Sequence, residues 1–408
     1  MANPSLQIGN SNWAIKEDNL LGYSTAGTRF VPQPITMTRA SAGTRVNSSG
    51  LVETVELLGS EEITGFTNGT SYPFSTFTTS GNNITSAIIS SSFAGAVSNS
   101  ISIVNGKTYK VTFTYTKNSG DDLRVLISNS ISGAGTSISN IEQVSASGDI
   151  TLFFTATSTT TGYLQMGTGN SGHSLNVSIT NVSVKESTKN NLARVDYDGT
   201  ASSLLAEPMR TNFVVTSASG TYGSSPASEI LAIAPDGENT AIRPVPSTSS
   251  NRYQETIAGG TYSSGDEVTY SWYRKRFSTP VVDSYVGDLY INLLVNCTQV
   301  GVATEIISDV NGFNRVSATF SITDGSIDSI LRFYFGSIIG DGNSSVAYWG
   351  HQLEVGSYAT SYIPTDGGTV TRVQDQYSKT GISNLINSEE GVLFVEMAAL
   401  ADDGVAKY

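Results

Sequence analysis

The chain is poor in almost everything that carries chemistry: 408 residues hold one Cys and two His, and only 14% are charged, against about 25% in an average globular protein. A single thiol, Cys297, excludes a disulfide framework, an iron–sulfur cluster and a Cys-based zinc site. Lys and Arg number 22 against 35 acids, a net charge of −13, and the cations are scattered singly for the most part, so nucleic acid is not an expected partner: phosphate binding wants a basic stripe. There is no run of 18 apolar residues, so no helical membrane span is expected. The opening MANPSLQIGNSNW has no basic segment followed by an apolar one and does not read as a secretory signal. Roughly a quarter of the chain is Ser or Thr and 40 residues are Gly, a poor helix-forming and good strand-and-turn-forming composition. Aromatics stay at 9%, with 19 Tyr and 15 Phe, which argues against disorder.

Two stretches read as β-sandwich modules with the same internal order. Residues 107–117 (KTYKVTFTYTK) alternate strictly, with Tyr109, Val111, Phe113 and Tyr115 on one face, the period of a half-buried strand. Strand patterns follow at 123–128, 149–157, 162–167 and 175–185, separated by Gly/Ser/Asn turns at the spacing of an antiparallel sandwich. The order repeats at 267–276 (EVTYSWYRKR), 288–296, 314–323, 330–336 and 346–355, a divergent duplication of a module large enough for its own core. The expected fold is therefore all-β: tandem jelly-roll sandwiches at 59–187 and 216–364, an extended, Pro-punctuated segment at 1–58, an irregular connector at 188–215, and a linker with first strands at 365–408. The end alternates as a strand at 391–399 and turns at Asp402–Gly404; a lone hairpin is marginal, so more chain or another chain is expected to complete that sheet.

Several segments resemble structural proteins of tailed bacteriophages. Residues 38–53 (TRASAGTRVNSSGLVE), 193–199 (ARVDYDG) and 204–212 (LLAEPMRTN) are similar to segments of their tail and fibre-like proteins. Residues 348–365 (YWGHQLEVGSYATSYIPT) with 368–372 (GTVTR) resemble the closing strand and exit linker of carbohydrate-binding-module-like jelly rolls in the same proteins, and the tail from Ser388 resembles the first strand of a concanavalin-like sandwich. In that family the first two segments lie close together in sequence; here the first module is interposed, and Ala193 stands where the family has Pro. The resemblance implies a non-enzymatic virion protein, a head or tail fibre assembled in the host bacterial cytoplasm and released by lysis. Residues 1–58 are then expected to dock on a capsid or tail component, and the sandwiches to present a host- or glycan-binding surface on a homo-oligomer, a trimer ahead of a dimer. The alternative is a non-viral carbohydrate-binding protein or an accessory domain of a polysaccharide-degrading enzyme; the depolymerase itself is a third reading.

Tests for chemistry give little. Gly167–Gly172 satisfies G-x-G-x-x-G, but a strand pattern follows it rather than the helix that pyrophosphate binding needs. His173 and His351 lie in different modules, and His351, beside Trp349 and Leu353, reads as a structural His. Cys297 ends the apolar face of Leu289, Ile291, Leu293 and Val295 and reads as a small core residue. Glu255, Asp266, Glu267, Asp283 and Asp288 are available carboxylates, but no spacing singles out the pair that glycoside hydrolysis uses. No loop shows a dense oxygen-ligand pattern, so a structural Ca²⁺ has no support and no cofactor is expected. The Asn-x-Ser/Thr sites at Asn83 and Asn176 are frequent by chance in such a composition. Sugar binding uses aromatic rings as platforms. Tyr273 lies opposite the Val268/Tyr270/Trp272 face, and Tyr290 opposite the Leu289/Ile291 face; these two are the candidate carbohydrate-binding residues.

Overall fold

The computed structural model describes residues 22–25, 29–32, 36–90, 92–133, 136–198, 201–245, 251–277, 290–291, 295–334, 346–378 and 380. The described secondary structure is strand throughout, as expected from a chain rich in β-branched, hydroxylated and aromatic residues. It divides into two units, one of residues 56–188 and one made of the segments on either side.

The 56–188 unit is a sandwich of two antiparallel sheets. In one, Thr108–Gly120 pairs with Gly148–Thr155 on one side and Leu175–Thr188 on the other. In the second, Leu123–Ser128 pairs with Thr160–Gly167. The alternation read at 107–117 is realised: Tyr109, Val111, Phe113 and Tyr115 are all buried, in one core with Val125, Ile127, Phe154, Leu164, Val177 and Val184. Leu57 pairs with Thr188, so the chain enters and leaves this unit on adjacent strands, the arrangement that lets a module sit inside another sequence at little loop-closure cost.

The other unit has the same connectivity. Glu267–Arg276 pairs with Phe313–Ile322 and Val346–Val355, and Tyr290–Ile291 pairs with Ser329–Tyr334, as their counterparts do. The six-stranded sheet adds Ser228–Ala232, Ala241–Val245 and Cys297–Val310, and the four-stranded sheet adds Tyr222–Ser224 and Arg252–Ile257. Between them lie Tyr253, Tyr270, Trp272, Cys297, Phe320, Leu331, Phe333 and Leu353. The units differ at one strand. Ser137–Val144 stays beside Leu123–Ser128, whereas Cys297–Val310 crosses to the sheet of Phe313–Ile322. It joins that neighbour through Asn311–Gly312, both at positive φ (54° and 75°), the backbone a tight primed hairpin turn needs.

The 1–58 segment, expected to stand extended and apart, departs from that reading at residues 36–55. Thr44–Val46 and Val52–Thr54 form a hairpin, Val52 is buried in a second cluster with Tyr273, Phe313, Ala347, Trp349 and Tyr362, and the Val52 amide donates to the Pro235 carbonyl. Thr36–Thr38 pairs with Gln376–Ser378, so part of the expected exit linker also returns to this unit. The terminal hairpin at 391–408 lies outside the described residues. Phe154 is fully buried; Phe154→Ala should destabilise the 56–188 unit by about 3–5 kcal/mol, measured by urea unfolding followed by near-UV circular dichroism.

Candidate functional site

The resembling segments meet in one place, and what they build is a buried charge cluster. Arg39 Nη1 lies 2.7 Å from Asp375 Oδ1, and Arg194 pairs with the other oxygen of the same carboxylate. Arg194 Nη1 and Arg372 Nη1 share Glu207 Oε2 at 2.8 and 3.0 Å. Ser361 donates its amide and hydroxyl to Glu207, each at 2.7 Å, and the Glu207 amide donates to Asp375. Backbone carbonyls absorb further guanidinium donors: Ser41 and Leu192 for Arg39, Thr44 for Arg194. All five charged side chains are at most 1% exposed. Burial opposes ionisation of Glu207, but Arg372, Arg194 and the Ser361 hydrogen bonds outweigh it and hold its pKa below the usual range. Each carboxylate oxygen here accepts from a donor within the chain, which makes the cluster a structural tie rather than a ligand site. Arg39, Arg194, Glu207 and Arg372 all stand in the segments singled out from the sequence; Asp375, which holds two of the arginines, was missed, because one Asp in a polar linker carries no pattern.

The two candidate platform residues fare differently. Tyr273 is on the face opposite Tyr270 and Trp272 as read, but it is only 4% exposed. Residues 36–55 and the 357–365 stretch cover that face, and the ring packs on Trp349 and Tyr362, centroids 5.6 and 6.5 Å apart. It is a core residue, not a platform. The side chain of Tyr290 lies outside the described residues, but its backbone is placed: the register runs Ser224, Arg252, Tyr334, Tyr290 across the four strands of the smaller sheet. Tyr253 and Phe333, one residue along, are buried in the core, so by alternation Arg252 and Gln254 belong to the sheet's outer face. There, Gln254 Oε1 accepts from Arg332 Nε at 3.0 Å. Arg252, Gln254 and Arg332 are all half-buried, a polar surface supported from below by the core. Gly223 leaves room beside it: a Cβ there would lie 2.6 Å from Gln254 Cβ.

The remaining chemistry-bearing residues are interior or in turns. Gly167–Gly172 is the turn between Thr160–Gly167 and Leu175–Thr188. Cys297 is buried, its thiol pushed up to about 11 by burial. His351 is fully buried, with Nδ1 2.8 Å from the Tyr270 hydroxyl, and burial lowers its pKa to about 3. Glu255 is buried on the core face of its strand, and burial raises its carboxyl to about 8. Gly220, at φ +72°, closes this region: a Cβ there would sit 2.8 Å from the His351 ring. Asp266 lies in an exposed turn, and Asp283 and Asp288 fall outside the described residues. Among the described residues, no three His, Cys, Asp or Glu side chains are placed to hold a metal ion.

No family model matches the sequence, and no curated protein matches it. Among solved structures, the chain is similar to the N-terminal CBM22-1–CBM22-2 tandem domain of Xyn10C from Paenibacillus barcinonensis. The two are 12% identical, with 74% of this chain and 97% of that chain covered and a TM-score of 0.22.

Two outcomes follow from the buried charges. Asp375→Asn leaves Arg39 and Arg194 without their shared countercharge and should cost about 3–5 kcal/mol, read by urea unfolding. Glu255 keeps its proton in the fold up to about pH 8 but loses it near 4.5 when unfolded, so its contribution becomes increasingly unfavourable as pH rises from about 4.5 to 8. His351 acts oppositely, costing stability as pH falls from about 6.5 towards 3. Glu255→Gln should therefore stabilise the protein by about 2–4 kcal/mol at pH 8.5 and by little at pH 4.5, measured by thermal unfolding across that range.

Proposed function

We propose that the chain is a non-enzymatic appendage protein of a tailed-phage virion, whose β-sandwich units serve attachment to host-surface glycans. One observation carries the reading. The segments that resemble phage structural proteins, 38–53, 193–199, 204–212, 348–365 and 368–372, supply most of one buried cluster through Arg39, Arg194, Glu207, Ser361 and Arg372. They are therefore parts of one folded unit, not scattered likenesses. Docking on a capsid or tail component falls to residues ahead of Thr36, since 36–55 are engaged within the chain. A homo-oligomer, a trimer before a dimer, fits this role because weak sites gain by multivalent display.

The outer face of the four-stranded sheet is the surface we assign to the glycan. Arg252, Gln254 and Arg332 offer the fixed donors and acceptors that sugar hydroxyls recognise, and the register sets Tyr290 at the end of the row. The same face would equally suit an accessory module of a polysaccharide-degrading enzyme, which is the second reading.

Mass spectrometry and immunogold labelling of purified particles should find the chain in the virion; its absence from particles rejects the virion role. On a glycan array, Gln254→Ala and Arg332→Ala should each weaken binding by about 2–10-fold. Release of reducing sugars by the purified full chain would instead place it among depolymerases.

A further inference from the structure

Beside the charge cluster lies a cavity of about 120 Å³, which neither the cluster nor the four-stranded sheet uses. Its walls are mainly aliphatic: Ala42, Ile363, Pro364 and Val370, together with Gly43 and Thr54. Ala42, Pro364 and Val370 are exposed, so the cavity opens to solvent between them, whereas Gly43 and Ile363 are buried. Thr54 stands two residues from the buried Val52 on the same strand, and alternation turns its side chain inward.

The walls are fixed before any ligand arrives. Ser41 Oγ accepts from the Val373 amide at 2.9 Å, which ties residues 41–43 to the strand Val370–Arg372. The Thr44 hydroxyl donates to the Tyr362 carbonyl, and the Val55 amide donates to the Gly43 carbonyl at 2.9 Å. Gly43 is pressed against the cluster: a Cβ there would lie 2.8 Å from Arg194 Cδ and 2.9 Å from Arg39 Cζ. The buried charges therefore hold one wall in place. Two donors at the cavity have no acceptor among the described residues, the half-buried Thr54 hydroxyl and the buried Nε of Arg372. At the rim the Thr371 hydroxyl is exposed, 2.7 Å from that of Thr211.

Size and chemistry restrict the occupant. A dry cavity of about 150 Å³ takes a benzene-sized group, so this one takes about four or five heavy atoms and excludes a whole pyranose ring. Aliphatic walls suit a methyl group, and buried donors without an acceptor suit a carbonyl. We propose that the cavity is a subsite for the acetamido group of an N-acetylated amino sugar. The inference rests on the glycan-attachment reading and names a substrate class for it. The methyl fills the space among Ala42, Ile363 and Val370, and the amide carbonyl supplies the acceptor that Thr54 and Arg372 lack. The pyranose ring stays outside, over Pro364 and Val370, with its hydroxyls against Thr371 and Thr211. Such a ligand is neutral, so the net charge of −13 does not oppose it.

The test is titration calorimetry of the full chain with chitotriose, each of whose sugars carries an acetamido group, against cellotriose, which has a hydroxyl in its place. An acetyl-lysine peptide serves as the second comparison. Chitotriose should bind about tenfold more tightly than cellotriose, with little dependence on salt. Its acetamido methyl should receive the strongest saturation transfer in NMR. Ala42→Phe, which fills the mouth from an exposed position, should weaken binding about tenfold with thermal unfolding unchanged. Thr54→Val should weaken it about threefold, and Ala42→Ser should retain it. Equal affinity for the two trisaccharides, tighter binding of the acetyl-lysine peptide, or indifference to Ala42→Phe and Thr54→Val would overturn the subsite. If chitotriose does not bind while array glycans still bind in a Gln254-dependent way, this subsite fails and the attachment reading stands. Chitotriose binding lost on Ala42→Phe, by a chain absent from particles, supports the subsite and removes the virion role.

Discussion

Five buried charges set the terms for the larger unit. Arg39, Arg194, Glu207, Arg372 and Asp375 come from segments far apart in the sequence; the pairing of Arg39 with Asp375 spans 336 residues. None of these groups could be buried alone, because desolvating a single ion costs several kcal/mol. Buried together they satisfy one another, so the segments that carry them are ordered together. The consequence reaches the rest of the unit. Once Arg39 is held, residues 36–55 lie across the outer face of the six-stranded sheet, Val52 joins Tyr273, Trp349 and Tyr362, and a sheet face that would have met solvent becomes a second core.

That covering explains how two copies of one topology present different surfaces. Both sandwiches share the pairings of their central strands and differ where Cys297–Val310 joins the other sheet. What differs is which faces the flanking chain takes. In the larger unit residues 36–55 lie over the six-stranded sheet at Tyr273, Trp349 and Tyr362, while Arg252, Gln254 and Arg332 are half-buried on the other sheet. Those polar side chains are supported by the core on the opposite side of their strands.

Most of the fold was legible because its signal is local. A period of two marks a strand with one buried face, and Tyr109 to Tyr115 and Val268 to Trp272 became core residues as their alternation indicates. His351 and Cys297, read as interior residues, are both buried. The candidate site was not. Alternation told that Tyr273 lies opposite Trp272, but not that another segment would close over it. Asp375 looks like one acid in a polar linker until it is laid beside Arg39 and Arg194.

The amino-acid sequence by itself determined the all-β class, the paired order of strands, and which side chains share a face, since each follows from propensity and a two-residue period. It also contained, as separate segments, the charged residues of the buried cluster. Only the tertiary structure decided which faces are covered, that Asp375 joins Arg39 to Arg194, and which polar groups remain at the surface. The physical reason is that burial of an ion or a sheet face depends on partners hundreds of residues away, and no local pattern records who those partners are.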